Sequence, residues 1–204
     1  MPRIRAESIE AHKRLTRRDI LDAAYRVLEE VGTADISLAE VAYEAGIGRT
    51  TLYEYFRDKD DIIASLVEER LPEVVDSLIA SVGGDDIPER LASLAVATVR
   101  FIITDPVLGW ILHREVPRLS ADAQERIRVA HADLAREMVD LYRQGASQGR
   151  FREMPIDIAG RFVYDVIMSA ARVLIADPDP TARFEEVAAH MRSFLLGGLA
   201  RDAE

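Results

Sequence analysis

The sequence predicts an all-α fold of about nine helices. Three observations carry that prediction. Apolar residues recur at three- and four-residue spacing through nearly every segment, which marks one buried face of a helix. No stretch alternates apolar and polar residues as a half-buried strand does. The breaks at Gly46-Ile47-Gly48, Gly83-Gly84-Asp85-Asp86 and Asp177-Pro178-Asp179-Pro180 leave helix-length pieces between them.

The first helix is expected to open at Thr16, where Thr16 and Asp19 have capping-box spacing and Leu15 with Ile20 form a hydrophobic staple. Ile20, Leu21, Ala24, Val27, Leu28 and Val31 then share one stripe, and Gly32 is placed to close the helix. A second capping box, Ser37 with Glu40, starts a short helix to about Ala45. Gly46 suits the left-handed backbone of a tight turn, and a third short helix runs from Arg49 to Phe56. A fourth begins near Asp58 and reaches about Val82, with Pro72 expected to bend it. Pro88 has the position of a first-turn proline in a helix ending at Thr104, and Asp105-Pro106 restarts another. Ser120 is expected to cap one long helix to about Ser147. Asp157–Ala176 and a segment from Thr181 to about Ala200 complete the set.

Composition narrows the function classes. The 204 residues are 49% hydrophobic and 30% charged, which suits a packed globular chain. There is no cysteine, so disulfides, thiolate nucleophiles and Cys-ligated zinc are excluded. Met1–Arg14 is polar, and the most apolar stretch, Leu91–Thr104, is interrupted by Arg100, so neither an export signal nor a membrane partner is expected. The expected location is the cytoplasm.

The formal net charge of −10 is the wrong sign for a nucleic-acid binder, but it is unevenly spread. Met1–Arg26 has seven basic against four acidic residues, residues 1–60 have 10 against 12, and the remainder has 16 against 24. A basic entry segment can hold phosphates if the nearby acids face away, with modest and strongly salt-dependent affinity. Arg3, Arg5, Lys13 and Arg14 form a basic arm, read as a solvated tail rather than as an insert into a minor groove.

Ser37–Phe56 reads SLAEVAYEAGIGRTTLYEYF. A short supporting helix, a tight turn and a second short helix are the parts of a helix-turn-helix, whose second helix enters the major groove. Leu38, Val41 and Ala42 supply the inner face, Ile47 plugs the gap between helices, and Leu52 with Phe56 anchor the second helix. That leaves Arg49, Thr50, Tyr53 and Tyr55 facing outward. Arginine reads guanine bidentately and threonine reaches a base edge or a thymine methyl. Tyrosine hydroxyls and the N-cap Ser37 suit phosphates, and Lys59 stands where helix amides also attract an anion.

Thr16–Ile63, with TRRDILDAAYRVLEEVG, the twenty-residue segment above and RDKDDII, resembles the N-terminal domain of the TetR family of bacterial regulators. The later part matches only in style. The resemblance implies that Arg49, Thr50, Thr51, Tyr53 and Tyr55 lie on the recognition helix. It also implies that Ser37, Tyr55 and Lys59 meet phosphates, with Thr16 and Arg18 nearby at the end of the first helix. Glu54 departs from a purely basic or polar reading face. The partners implied are a palindromic double-stranded DNA operator, a small-molecule effector, largely apolar, and a second copy of the chain. Residues 1–60 would form the arm and reading head, and residues 61–204 the effector-binding and dimerisation domain.

In that second part the candidates for an effector pocket are Phe101, Trp110, Ile111, His113, Arg114, Met138, Tyr142, Tyr164 and Met168, with Gly109 leaving space beside the single tryptophan. Aromatic and methionine residues at helical spacing also serve as plain core. For a homodimer, Phe162, Val166, Ala170 and Val173 run along one helix and Val187, Met191, Phe194 and Leu195 along the next. Gly197, Gly198 and Ala200 permit close approach. Family members pair these two helices across a two-fold axis, and the helix from Asp58 to Val82 is the expected lever to the head.

Two other classes compete. An enzyme finds little support, because His113, Arg114 and Glu115 are helix neighbours that do not face one another, and Glu186 with His190 are too few for a metal site. No cofactor is called for. A helical interaction module with a silent head remains the main alternative, opposed by the outward Arg49, Thr50, Tyr53 and Lys59.

Overall fold

The computed structural model describes residues 2–31 and 36–200, with backbone only for residues 2–8, 31 and 106. Among them are ten α-helices and no named strand: α1 (Pro2–Val31), α2 (Leu38–Glu44), α3 (Arg49–Tyr55), α4 (Lys59–Ser81), α5 (Ile87–Thr104), α6 (Pro106–Trp110), α7 (Ala121–Ala130), α8 (Ala132–Ser147), α9 (Ile156–Ile175) and α10 (Pro180–Leu199). A π-helical turn, Ile111–Glu115, and a 3₁₀ turn, Val116–Arg118, join α6 to the Leu119-Ser120 link before α7.

Three expectations are corrected. α1 runs through Thr16 from residue 2, so Thr16 and Asp19 sit mid-helix and cap nothing, and the basic arm is helical backbone rather than a tail. The cause is composition: residues 3–15 hold no proline or glycine to stop a helix. The long helix expected from Ser120 is interrupted at His131, whose residue is a turn between α7 and α8. That break adds the tenth helix. Gly109 does more than leave space: a Cβ there would lie 2.1 Å from the carbonyl oxygen of Ile102, so the end of α5 packs on bare backbone. The expected closure at Gly32 lies outside the described residues.

The residues form two compact units. The first takes the chain up to Arg70 and adds Trp110–Ile127; the second takes Leu71–Gly109 and the chain from Arg128 onward. Its transition falls inside α4, beside Pro72. In the first unit α1 buries Ile20, Leu21, Ala24, Val27 and Leu28, as the stripe predicts, and α4 buries Ile62, Ile63, Leu66 and Val67. In the second unit α5 packs on α8, α9 and α10 through a face that includes Leu91, Leu94, Ala95 and Val99.

After α8 the chain turns at Gly149, which takes φ +69, and Phe151 drops against the helix it has just left. Its ring stacks on Tyr142 at 5.9 Å and occupies a notch at Gly145, where a Cβ would lie 2.2 Å from the ring. The Arg152 N–H then donates to the Leu199 carbonyl at 2.9 Å, tying this turn to the end of α10.

Candidate nucleic-acid interface and ligand cavity

The reading head is built by local rules. Ser37 caps α2: its hydroxyl accepts the Glu40 N–H at 3.2 Å, and the Glu40 carboxylate accepts the Ser37 N–H at 3.1 Å. Gly46 adopts φ +67, the left-handed conformation expected of it, and the Ile47 N–H closes the turn on the Ala42 carbonyl at 3.0 Å. Val41, Ala42, Leu52 and Phe56 are buried, and that fixes which face of α3 remains outside. Arg49, Thr50 and Tyr53 are exposed, Thr51 and Tyr55 half-buried, and Glu54 exposed beside them. Arg49 has no carboxylate partner among the described residues.

Other candidates are already engaged. The Ser37 hydroxyl also donates to the Glu40 carboxylate at 2.8 Å. At the start of α4, where the sequence suggested an anion site, the Asp58 carboxylate already accepts the Asp61 N–H at 2.9 Å, and Lys59 is half-buried. Arg18 sits 3.8 Å from Glu69 and stays largely exposed, while Arg17 lies over the Phe56 ring at 5.2 Å. Thr16 is half-buried on α1. Sequence reasoning passed over Tyr43, which is 85% exposed at the end of α2. Its signal was available: it falls off the Leu38, Val41, Ala42 stripe.

A cluster that sequence reasoning also missed fastens α7 to α4. Arg126 donates to Asp61 at 2.7 Å, to Glu68 at 2.6 Å and to the Ser65 hydroxyl at 2.8 Å. Arg57 reaches Asp122 at 2.7 Å, and the Asp60 carboxylate accepts the Ser120 N–H at 2.7 Å. Burial pushes the Asp61 carboxyl up, but the Arg57 N–H and the guanidinium of Arg126 outweigh it and hold the group below the usual aspartate value. Some sixty residues separate the partners, so no local pattern announces them.

The pocket candidates divide. Met138, Tyr142, Tyr164 and Met168 line one cavity of about 230 Å³ between α8 and α9, whose wall also includes Thr98 and His131. Phe101 lines a different, open depression with Arg100 and Arg192. Trp110, Ile111, His113 and Arg114 fall in the first unit, where the Arg114 guanidinium lies over the Trp110 ring at 4.3 Å. Tyr142 is half structural, since its hydroxyl donates to the Arg152 carbonyl at 2.8 Å and accepts the Met154 N–H at 3.0 Å. His131 was missed, although it continues the His131, Leu134, Met138, Tyr142 stripe at helical spacing.

All eight residues expected at a dimer contact line one broad groove of about 1010 Å³ along α9 and α10. Ala170, Met191 and Leu195 are buried, whereas Phe194 is 70% exposed and Phe162 58% exposed. An added Cβ at Gly197 or Gly198 would meet no atom within 4 Å. Among the described residues no cluster of three metal-ligating side chains occurs, and no single helix is long and apolar enough to cross a membrane.

A helix-turn-helix head with exposed arginine, threonine and tyrosine has the form of a DNA-binding regulator. Residues 20–66 match the bacterial regulatory proteins of the tetR family, and residues 84–199 match the tetracyclin repressor-like C-terminal domain. The chain belongs to the TetR family of bacterial transcription regulators, which are DNA-binding proteins and not enzymes. It is similar to the HTH-type transcriptional regulator BetI of Brucella anthropi, 28% identical over 141 residues that cover 67% of this chain and 72% of that one. A TetR-family regulator from Pectobacterium atrosepticum superposes with a TM-score of 0.71 at 25% identity, covering 95% of this chain and 98% of that one. The FadR regulator of Bacillus subtilis, solved with stearoyl-CoA, shares the fold with a TM-score of 0.71 at 20% identity, covering 86% and 97%.

Proposed function

We propose that the protein is a dimeric repressor that holds a palindromic operator in the cytoplasm until a small, largely apolar molecule enters the cavity between α8 and α9. The reading residues fall within 1–60, and the sensing and pairing surfaces within 61–204. The observation that carries the proposal is the face of α3, where Arg49, Thr50 and Tyr53 stand exposed above the buried anchors Leu52 and Phe56. A helix of seven residues has little affinity alone. Two copies set roughly 34–36 Å apart reach successive major grooves on one side of the duplex. The groove along α9 and α10, with its exposed phenylalanines, supports pairing through those helices. The solved stearoyl-CoA complex of a regulator with this fold supports a ligand-binding role.

The chain order supplies the link between site and head. α7 carries Arg126, which grips Asp61 and Glu68 on α4, and α7 ends at Ala130, next to the cavity residue His131. A ligand that favours one setting of His131 biases the strand of chain that holds this cluster. Its effect on DNA affinity equals its differential affinity for the two settings and is reciprocal.

Selection of random duplex DNA at two salt concentrations tests the proposal. An enriched palindrome whose binding falls steeply with salt is expected. Lys59→Ala should weaken binding to all sequences and flatten the salt slope by about one. Arg49→Ala should relax preference at one base position per half-site. If neither change alters DNA binding while the protein still dimerises, the head is a scaffold and the proposal fails.

A further inference from the structure

The cavity between α8 and α9 has a chemistry narrower than "apolar". Its volume of about 230 Å³ lies below the usual range for drug-sized ligands, roughly 300–1,000 Å³. It exceeds the roughly 150 Å³ that suffices for benzene. One ring with a short extension fits that interval. Leu134, Met138, Ile156, Val163, Ile167 and Met168 supply much of the wall. No aspartate, glutamate, lysine or arginine lines it. A carboxylate, phosphate or ammonium entering there loses its hydration without gaining a counter-charge.

The polar groups on the wall are mostly committed. The Thr98 hydroxyl donates to the Leu94 carbonyl at 2.8 Å. The Tyr142 hydroxyl is held by the backbone of Arg152 and Met154. Tyr164 is 47% exposed, at the rim. His131 differs from all three. It is half-buried at the break between α7 and α8, it lines the cavity, and among the described residues its imidazole has no hydrogen-bonding partner. Burial pushes the imidazole below its ordinary value, so at neutral pH it offers one donor and one acceptor nitrogen.

We infer that the cavity takes a small uncharged molecule, one ring with a short apolar extension, whose single hydroxyl-type group hydrogen-bonds to His131. The inference rests on reading this cavity as the sensing site. It also separates this chain from its relative with stearoyl-CoA, whose ligand is far larger and carries phosphates.

Four compounds of related shape test it on the full chain by calorimetry: 4-propylphenol, propylbenzene, 4-propylbenzoate and benzyltrimethylammonium. The expected order is 4-propylphenol roughly tenfold tighter than propylbenzene, the worth of one neutral hydrogen bond, with the two ions not binding. His131→Phe should bring 4-propylphenol down to the affinity of propylbenzene. Propylbenzene itself should still bind, which shows that the cavity persists. His131→Gln, which keeps a donor and an acceptor, should restore part of the difference. Tighter binding of either ion, a phenol advantage that survives His131→Phe, or binding by none of the four overturns the inference. Operator affinity, measured alongside, distinguishes the two levels. If the phenol binds as expected and operator affinity is unchanged, the sensing role falls while the ligand class stands. If an ion releases the operator, the ligand class falls while the sensing role stands.

Discussion

Replacing Gly145 by alanine should destabilise the protein only while Phe151 is present. In a helix, glycine to alanine ordinarily stabilises by about 1 kcal/mol. Here the new Cβ would lie 2.2 Å from Cδ2 and 2.4 Å from Cε2 of Phe151, so the ring must leave its notch. That ring is buried and stacked on Tyr142, whose hydroxyl holds the backbone of Arg152 and Met154. Displacing it forfeits packing on the scale of an overpacked core, about 1–3 kcal/mol, which outweighs the helical gain. Phe151→Ala alone should cost about 3–5 kcal/mol through lost burial and the void it leaves. In the double variant the methyl of residue 145 has nothing to strike and partly fills that void. It should then be about 1 kcal/mol more stable than Phe151→Ala. The interaction energy of the cycle is therefore favourable by about 1–3 kcal/mol. Equilibrium urea unfolding at one fixed protein concentration reads all four chains, since a dimer's apparent stability depends on concentration. Additive effects, within about 0.5 kcal/mol, would mean that Gly145 is not a seat for Phe151.

Two further perturbations follow from the head. Ser37→Ala removes the acceptor for the Glu40 N–H and should cost about 1 kcal/mol, a fall of about 2–4 °C in Tm. Ser37→Asn, which keeps a capping acceptor without setting a second carboxylate against Glu40, should retain most of that stability; an unchanged melt for Ser37→Ala refutes the cap's contribution. Asp61 is held below the usual aspartate value in the folded chain, so its stabilisation is complete above the unfolded value near about 3.9 and is lost as pH falls through the lower folded value. Asp61→Asn should therefore flatten the loss of stability below about pH 4, measured by urea unfolding across pH 2–6, and an unaltered acid limb would contradict the role given to Arg57 and Arg126.

What could be read from the sequence was what is set within a few residues. The Ser37 and Glu40 box, the left-handed Gly46 and the buried Leu52 and Phe56 depend on neighbours three or four positions away. Helical periodicity also grouped residues that lie together in space: the eight residues on α9 and α10 line one groove, and Met138, Tyr142, Tyr164 and Met168 line one cavity. It failed where a local pattern was satisfied by a non-local cause. Thr16 and Asp19 have capping spacing, but helix-forming residues on the upstream side carry the helix through them. Nothing at His131 resembles a breaker, since neither glycine nor proline stands there. Trp110 and Arg114 look like ligand contacts by residue type, and in space the Arg114 guanidinium lies over the Trp110 ring. The Arg126 cluster joins residues whose positions differ by 58 to 65, a relation invisible to any window along the chain.

The groove along α9 and α10 has a closed floor and a proud rim. Ala170, Met191 and Leu195 are buried within the chain itself, whereas Phe162 and Phe194 stand exposed beside them. If pairing runs through this groove as proposed, a chain built this way can complete its own core before it meets a partner, so assembly becomes a separate, later equilibrium. On that proposal, cellular abundance would set how much of the protein is competent to grip both halves of a palindrome. A truncated copy that keeps α9 and α10 but lacks the head would poison that pool, titrating intact subunits into pairs with a single grip.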